Sequence, residues 1–148
     1  MIISQRTPEH LGELLHRMIW KNSQNEVCMC QKYKYIIPEI PPSNNKFIGR
    51  NTRWQYQAEK KRWAEMIAWL CRPKPPTPIP KAQVTLDYYF GNRIRHDPDN
   101  YSGKMVLDGL VKAGIIQDDS FSCIRLRLNG KYDKSSPRLE ITVEELEK

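Results

Sequence analysis

The stretch RHDPDNYSGK, Arg95 to Lys104, sets Asp97 and Asp99 on either side of Pro98, and QDDS, Gln117 to Ser120, adds Asp118 and Asp119. Pro98 biases Asp97 toward extended backbone. In an extended chain residues i and i+2 point the same way, so Asp97 and Asp99 are expected to aim at one point. Two carboxylates held that close repel unless a proton or a cation intervenes. A hard divalent cation such as Mg²⁺ takes oxygen ligands, often only a few of them from protein. Asp97 and Asp99 are then the expected ligands, with Asp118 or Asp119 a further ligand or a base that orients water. A cation there would lower the pKa of bound water and polarise a phosphodiester oxygen. Lys104 falls in the first turn of the next helix, where the macrodipole mildly disfavours a cation; a phosphate beside it would give that placement a purpose.

The same residues admit a structural reading. Asp99, Asn100 or Ser102 could cap the helix, and Asp118-Asp119-Ser120 could form an ordinary turn. Two other motifs fail on spacing. DPDNYSGK departs from a calcium loop, with Tyr101 at the fifth position and Gly103 at the seventh. Cys28-Met29-Cys30 lacks the second close pair of Cys or His that a structural zinc needs. His96 reads as a solvated loop histidine, and His10 and His16 belong to an N-terminal helix.

Composition bounds the partners. Lys and Arg number 24 against 17 Asp and Glu, a formal net charge of +7. That balance points to a polyanion, nucleic acid first, because clustered cations release condensed counterions from phosphates. Apolar residues make up 39% and charged residues 28% of the 148, the make-up of a soluble globular domain. No apolar run approaches transmembrane length, no secretory signal is visible in the first twenty residues, and the four cysteines have no disulfide-framework spacing. A cytoplasmic protein with no membrane partner is expected.

The elements that must position these residues follow from periodicity. Leu11, Leu14, Leu15 and Met18 predict an amphipathic helix from Thr7 to about Trp20. KYKYIIPEI, Lys32 to Ile40, reads as a strand with Pro38 near its end. Thr52-Arg53-Trp54-Gln55 fits a capping box, and Tyr56, Trp63, Met66, Ile67 and Leu70 form one apolar stripe behind it. Lys60, Lys61 and Arg62 read as a solvated face of that helix. A proline-rich extended connector leads to the strand Lys81 to Phe90, with Val84, Leu86 and Tyr88 on its buried face. Lys104 to Ala113 form a helix closed by Gly114. Ile124, Leu126 and Leu128 mark a further strand, a polar loop NGKYDKSSP follows, and the last strand runs Arg138 to Val143. The order α, β, α, β, α, β, β gives a mixed α/β, or α+β, domain.

The run DPDNYSGKMVLDGLVKAGIIQDDS resembles the RusA family of Holliday-junction endodeoxyribonucleases, often carried by phages and prophages. The likeness rests on Asp97, Asp99 and Asn100; Lys104; Asp108-Gly109-Leu110; Gly114; and Asp118-Asp119, with PPSNNKFIGRN upstream similar to the family's opening. It covers about Lys32 to Val143. It implies a RusA-like α+β domain with a mixed sheet and packed helices over 32–148, preceded by an N-terminal helical extension over 1–31 to which it assigns no role. It further implies a homodimer dependent on Mg²⁺, with Mn²⁺ a substitute, that binds four-way DNA junctions and nicks two strands symmetrically. The catalytic residues carried over are Asp97, Asp99, Asp119 in preference to Asp118, and Lys104. Lys104 lies five residues after Asp99, where the family has four.

Lys46, Arg50, Arg53, Arg125, Arg127 and Lys131 are candidate contacts to the DNA backbone. Two alternatives stay open: a DNA-binding module without catalysis, and a nuclease acting on RNA or flapped DNA. Reach is a further question. A helix over 102–113 would be roughly 18 Å long, and five extended residues span at most about 17 Å. Asp119 would therefore barely return to Asp97 and Asp99, and a partner subunit could complete the site instead.

Overall fold

Strict alternation builds the centre of this computed structural model, which describes residues 31–49 and 51–147. Strand β2 (Ala82–Phe90) buries every second residue, so Ala82, Val84, Leu86, Tyr88 and Phe90 share one face. Around it lie β1 (Lys32–Ile37), β3 (Ile124–Tyr132) and β4 (Arg138–Glu145), in the order β1-β4-β2-β3. Strand β4 is antiparallel to both β1 and β2, whereas β2 and β3 are parallel. A parallel pair cannot be joined by a hairpin. The crossover between β2 and β3 contains helix α2 (Lys104–Lys112) and carries all the acidic residues singled out above. The fold is the expected α+β domain with a mixed sheet and packed helices.

Helix α1 (Arg53–Leu70) and α2 supply the second layer. Trp63 and Ile67 of α1, and Val106 and Leu110 of α2, are fully buried with the sheet residues Ile37, Val84, Leu86, Leu139, Ile141 and Val143. The helices touch at Gly109, where an added Cβ would lie 2.6 Å from Ile67 Cδ1. A larger residue would push the two helices apart.

Several local expectations change. Thr52 makes no capping box: its hydroxyl donates back to the carbonyls of Phe47 and Gly49 at 2.7 and 3.0 Å. It pins the loop before the helix instead of the helix itself. The apolar stripe holds at Trp63 and Ile67, but Leu70 is exposed at the helix end. Strand β1 stops at Ile37, immediately before Pro38. Strand β3 buries Ile124 but leaves Leu126 exposed, because it is the sheet edge and has a neighbour on one side only. It also runs on through Asn129–Tyr132, expected to be loop, since those residues pair with Asp87–Phe90. The N-terminal helix, Cys28, Cys30 and Arg50 lie outside the described residues. Among the described residues no helix is long and apolar enough to cross a membrane.

Candidate active site

The acidic turn is shaped by its proline in a different way from that expected. Asp97 is extended, at φ −100° and ψ 136°, but Pro98–Tyr101 coil into a 3₁₀ turn, with Asn100 N–H donating to the Asp97 carbonyl at 3.1 Å. The fixed φ of proline serves a helical start as well as an extended chain. The extended i, i+2 geometry therefore does not apply to Asp97 and Asp99. Asp97 takes a hydrogen bond from Arg95 Nε at 2.9 Å, and Asp99 is exposed. Among the described residues no three of His, Cys, Asp or Glu stand close enough together to hold a metal. The donors are nonetheless of the right kind: every candidate is a carboxylate, and Mg²⁺ commonly takes only one or two of these.

The turn is held from upstream. Asn44 Nδ2 donates to the Asp99 carbonyl at 3.0 Å and to Ser102 Oγ at 3.1 Å, tying the PPSNNKF loop to the DPDN turn. Neither Asp99 nor Asn100 nor Ser102 caps α2. The N-cap is Gly103, at φ +76°, where a Cβ would meet Leu86 Cδ1 at 2.4 Å. Only glycine combines a left-handed turn with so close an approach. It lies between Asp99 and Lys104, so the five-residue spacing accommodates a sharp redirection of the chain.

His96 is packed rather than solvated. It stacks on Phe90 with ring centroids 3.7 Å apart, and Tyr101 meets both rings edge-on. Together with Tyr88, Asp97 and Asn129 these rings line a small cavity of about 60 Å³. Burial holds the Tyr88 phenol far above its ordinary pKa, and its hydroxyl has no hydrogen-bond partner among the described residues.

Asp119 returns to the start of α2 within one chain. The helix has nine residues, about 13.5 Å, and is shorter than expected. Gly114, at φ +75°, reverses the chain, and Ile115 N–H closes onto the Leu110 carbonyl at 3.0 Å. Ile116 then bridges to Ile79, which leads the segment back along the helix. Asp119 Oδ2 ends 3.6 Å from Lys104 Nζ. Asp118 is exposed, and hydrogen bonds led by the Ser120 hydroxyl hold its carboxyl below the ordinary range. The two neighbours thus divide: Asp118 serves the turn and Asp119 faces the lysine.

Lys104 has a second partner. Its Nζ lies 3.1 Å from Asp108 Oδ1, one helical turn on, and Lys60 Nζ of α1 lies 3.0 Å from the other oxygen of Asp108. The Asp108 contact, above all, raises the Lys104 pKa. Burial pushes the Asp108 carboxyl up, but the two ammonium groups outweigh it and hold the group below its usual range. Lys60 was expected on a solvated face together with Lys61 and Arg62; those two are exposed, Arg62 in surface pairs with Glu39 and Glu59, and Lys60 alone is drawn inward. A signal for Lys60 was present: it lies on the stripe of Tyr56, Trp63 and Ile67, four, three and seven residues away.

A groove of about 500 Å³ opens beside Lys104 between the 3₁₀ turn Asn44–Phe47 and the first turn of α1. Arg53 and Lys104 line it with Asn44, Phe47, Tyr56 and Ser102, and among the described residues no carboxylate does. Lys46 is exposed next to Phe47. Arg125 and Arg127 project from the face of β3 opposite the helices. Lys131, on that same face, is engaged by Asp87 at 3.5 Å and lies over the Tyr89 ring.

No curated protein sequence matches the chain. Residues 38–144, spanning both the Asn44 loop and the whole acidic crossover, match the family described as endodeoxyribonuclease RusA, and the chain belongs to that family of Holliday-junction nucleases.

Proposed function

We propose that this protein resolves four-way DNA junctions as a Mg²⁺-dependent homodimer, each subunit nicking one of two symmetric strands. The observation that carries the reading is the meeting of Lys104 with Asp119 at 3.6 Å. It brings the residue after the acidic turn to the pair beyond the helix, two parts that the sequence separates. Asp97, Asp99 and Asp119 are the candidates that would hold the metal, through the one or two carboxylates Mg²⁺ commonly takes, with Asp118 at its margin. When bound, Mg²⁺, or Mn²⁺ in its place, supplies an activated water and polarises the phosphodiester.

The chain's own residues do the rest. Lys104, half-exposed toward the groove, offsets the negative charge that grows on the phosphate in the transition state. The groove, bounded by Arg53 and lined by no carboxylate among the described residues, guides the strand to it. Lys46, Arg125 and Arg127 extend the cationic surface for the junction arms, Arg50 is a further candidate contact, and Lys131 is held by Asp87. The N-terminal extension over 1–31 is a separate element from the nuclease domain over 32–148, and the protein acts in the cytoplasm.

The experiment compares a synthetic four-way junction, linear duplex, flapped DNA, RNA and single strands, each with and without Mg²⁺. Paired nicks confined to the junction and dependent on the metal are expected. Salt-sensitive binding without nicking would favour a DNA-binding module, and preferential cutting of flaps or RNA would redirect the substrate.

A further inference from the structure

We infer that Asp108 and Lys60 form a clamp that positions Lys104 for the reaction, an inference that rests on the nuclease reading above. Three groups from two helices meet in a line: Lys60 Nζ to Asp108 Oδ2 at 3.0 Å, and Asp108 Oδ1 to Lys104 Nζ at 3.1 Å. The side chains of Asp108 and Lys60 are 16% and 28% exposed, against 53% for Lys104, so the anchor is covered and the lysine it holds is open. That lysine lines the groove.

Helix stability does not account for the arrangement. A lysine N-terminal to an acid at i, i+4 is the weaker order for a helical pair. A cation in the first turn also opposes the helix dipole. Positioning accounts for it better. A free lysine loses rotamer entropy when it is held, and an anchor one turn away takes much of that loss before substrate arrives. Asp108 alone would cancel the Lys104 charge. Shared with Lys60, that carboxylate faces two ammonium groups, and once Asp119, 3.6 Å from Lys104, is committed to the metal of the reading above, the trio keeps a net charge of +1. Lys104 is thus fixed in place yet still cationic toward the groove.

Gly109 makes the arrangement possible. Its missing side chain lets α2 approach within contact of Ala64 and Ile67 of α1, a helical turn or two beyond Lys60. At that approach Lys60 Nζ lies 3.0 Å from Asp108. The Asp108-Gly109-Leu110 run then has three separate duties: the carboxylate anchors, the glycine admits the neighbouring helix, and the leucine fills the core.

The test measures single-turnover junction cleavage and junction affinity for Asp108→Asn, Asp108→Glu and Lys60→Met, each alone and in a Lys104→Ala background. Asp108→Asn is expected to slow cleavage roughly 10- to 100-fold at unchanged affinity, with Asp108→Glu recovering part of the loss and Lys60→Met losing severalfold. In the Lys104→Ala background neither Asp108→Asn nor Lys60→Met should slow cleavage further, because both act through the lysine. An equal loss in both backgrounds, or full cleavage by Asp108→Asn, overturns the clamp. Should Asp108→Asn unfold the helix pair, Lys60→Met carries the same comparison. A wild-type protein that cuts no junction overturns the nuclease reading instead. The contact is then read from thermal denaturation, where a smaller Tm loss for Asp108→Asn in the Lys104→Ala background supports the clamp and additive losses refute it.

Discussion

Two ionic networks lie on opposite sides of the sheet, and they are built to different ends. On the open face, Glu140 meets Lys34 at 3.1 Å and Arg138 at 3.0 Å, and Arg138 continues to Asp133 at 2.7 Å. Beside them Asp87 takes Asn129 at 2.8 Å and Lys131 at 3.5 Å, while the Arg138 guanidinium lies 3.8 Å over the Tyr89 ring. Each cation is matched by an acid, Lys34 and Lys131 across neighbouring strands and Arg138 along its own strand and to the loop before it, the arrangement of a stabilised surface. On the helix side, Lys60, Asp108, Lys104 and Asp119 are linked in turn, and of the four only Lys104 is half-exposed and lines a cationic groove. Closed charge networks hold a fold together. Those with an exposed end next to a cavity are placed to meet something else.

The largest effect should come from the acidic turn. Asp97→Asn is expected to lower metal-dependent junction cleavage by roughly 10³-fold with junction affinity nearly unchanged, measured by single-turnover kinetics beside a gel-shift titration. Full activity in that variant would remove the turn from the site. Lys104→Met should follow, at roughly 10²-fold in rate at saturating junction. If the loss appeared in affinity instead, the lysine would be a binding group only.

The open-face network should respond in the opposite manner. Glu140→Ala is expected to cost about 1–3 kcal/mol in urea denaturation, while the folded fraction cuts at the wild-type rate. Acid should act through the same residue. Burial pushes the Glu140 carboxyl up, but Lys34 and Arg138 outweigh it and hold the group below its ordinary pKa. A carboxyl depressed in the folded state adds stability above the unfolded value, and that stability is lost as the pH falls through the folded one. Wild-type protein should therefore weaken below about pH 4.3, and Glu140→Gln should flatten that decline in a pH series of denaturation curves.

The smallest effects separate the cations of β3. Arg125→Gln and Arg127→Gln should each weaken junction binding a few-fold and reduce the salt slope by about 1. Lys131→Met should leave the slope almost unchanged, since Asp87 already neutralises it. Equal slopes for all three would erase the distinction between the two networks.

The hydrophobic alternation of β2 and the stripe of α1 were legible because burial on one face imposes a period, and Val84, Leu86, Trp63 and Ile67 obey it. Gly114 was legible as a helix stop because a left-handed residue there has one cheap solution. The end of β3 was not legible, since Asn129, Gly130 and Lys131 have turn chemistry and become strand only by pairing with β2. Nor was the packing of His96, which depends on Phe90 and Tyr101.

For the site itself, the sequence determined the chemistry: the carboxylates, the lysine, and the basic surface around them. It did so because donor type and net charge are properties of composition and order. Only the tertiary structure decided that Pro98 starts a 3₁₀ turn, that Asp119 returns to Lys104 within one chain, and that Lys60 and Lys104 share Asp108. Those meetings join residues up to 48 positions apart on separate elements. They depend on how closely two helices approach, a distance set by the absence of a side chain at Gly109 and by the layer that forms around it.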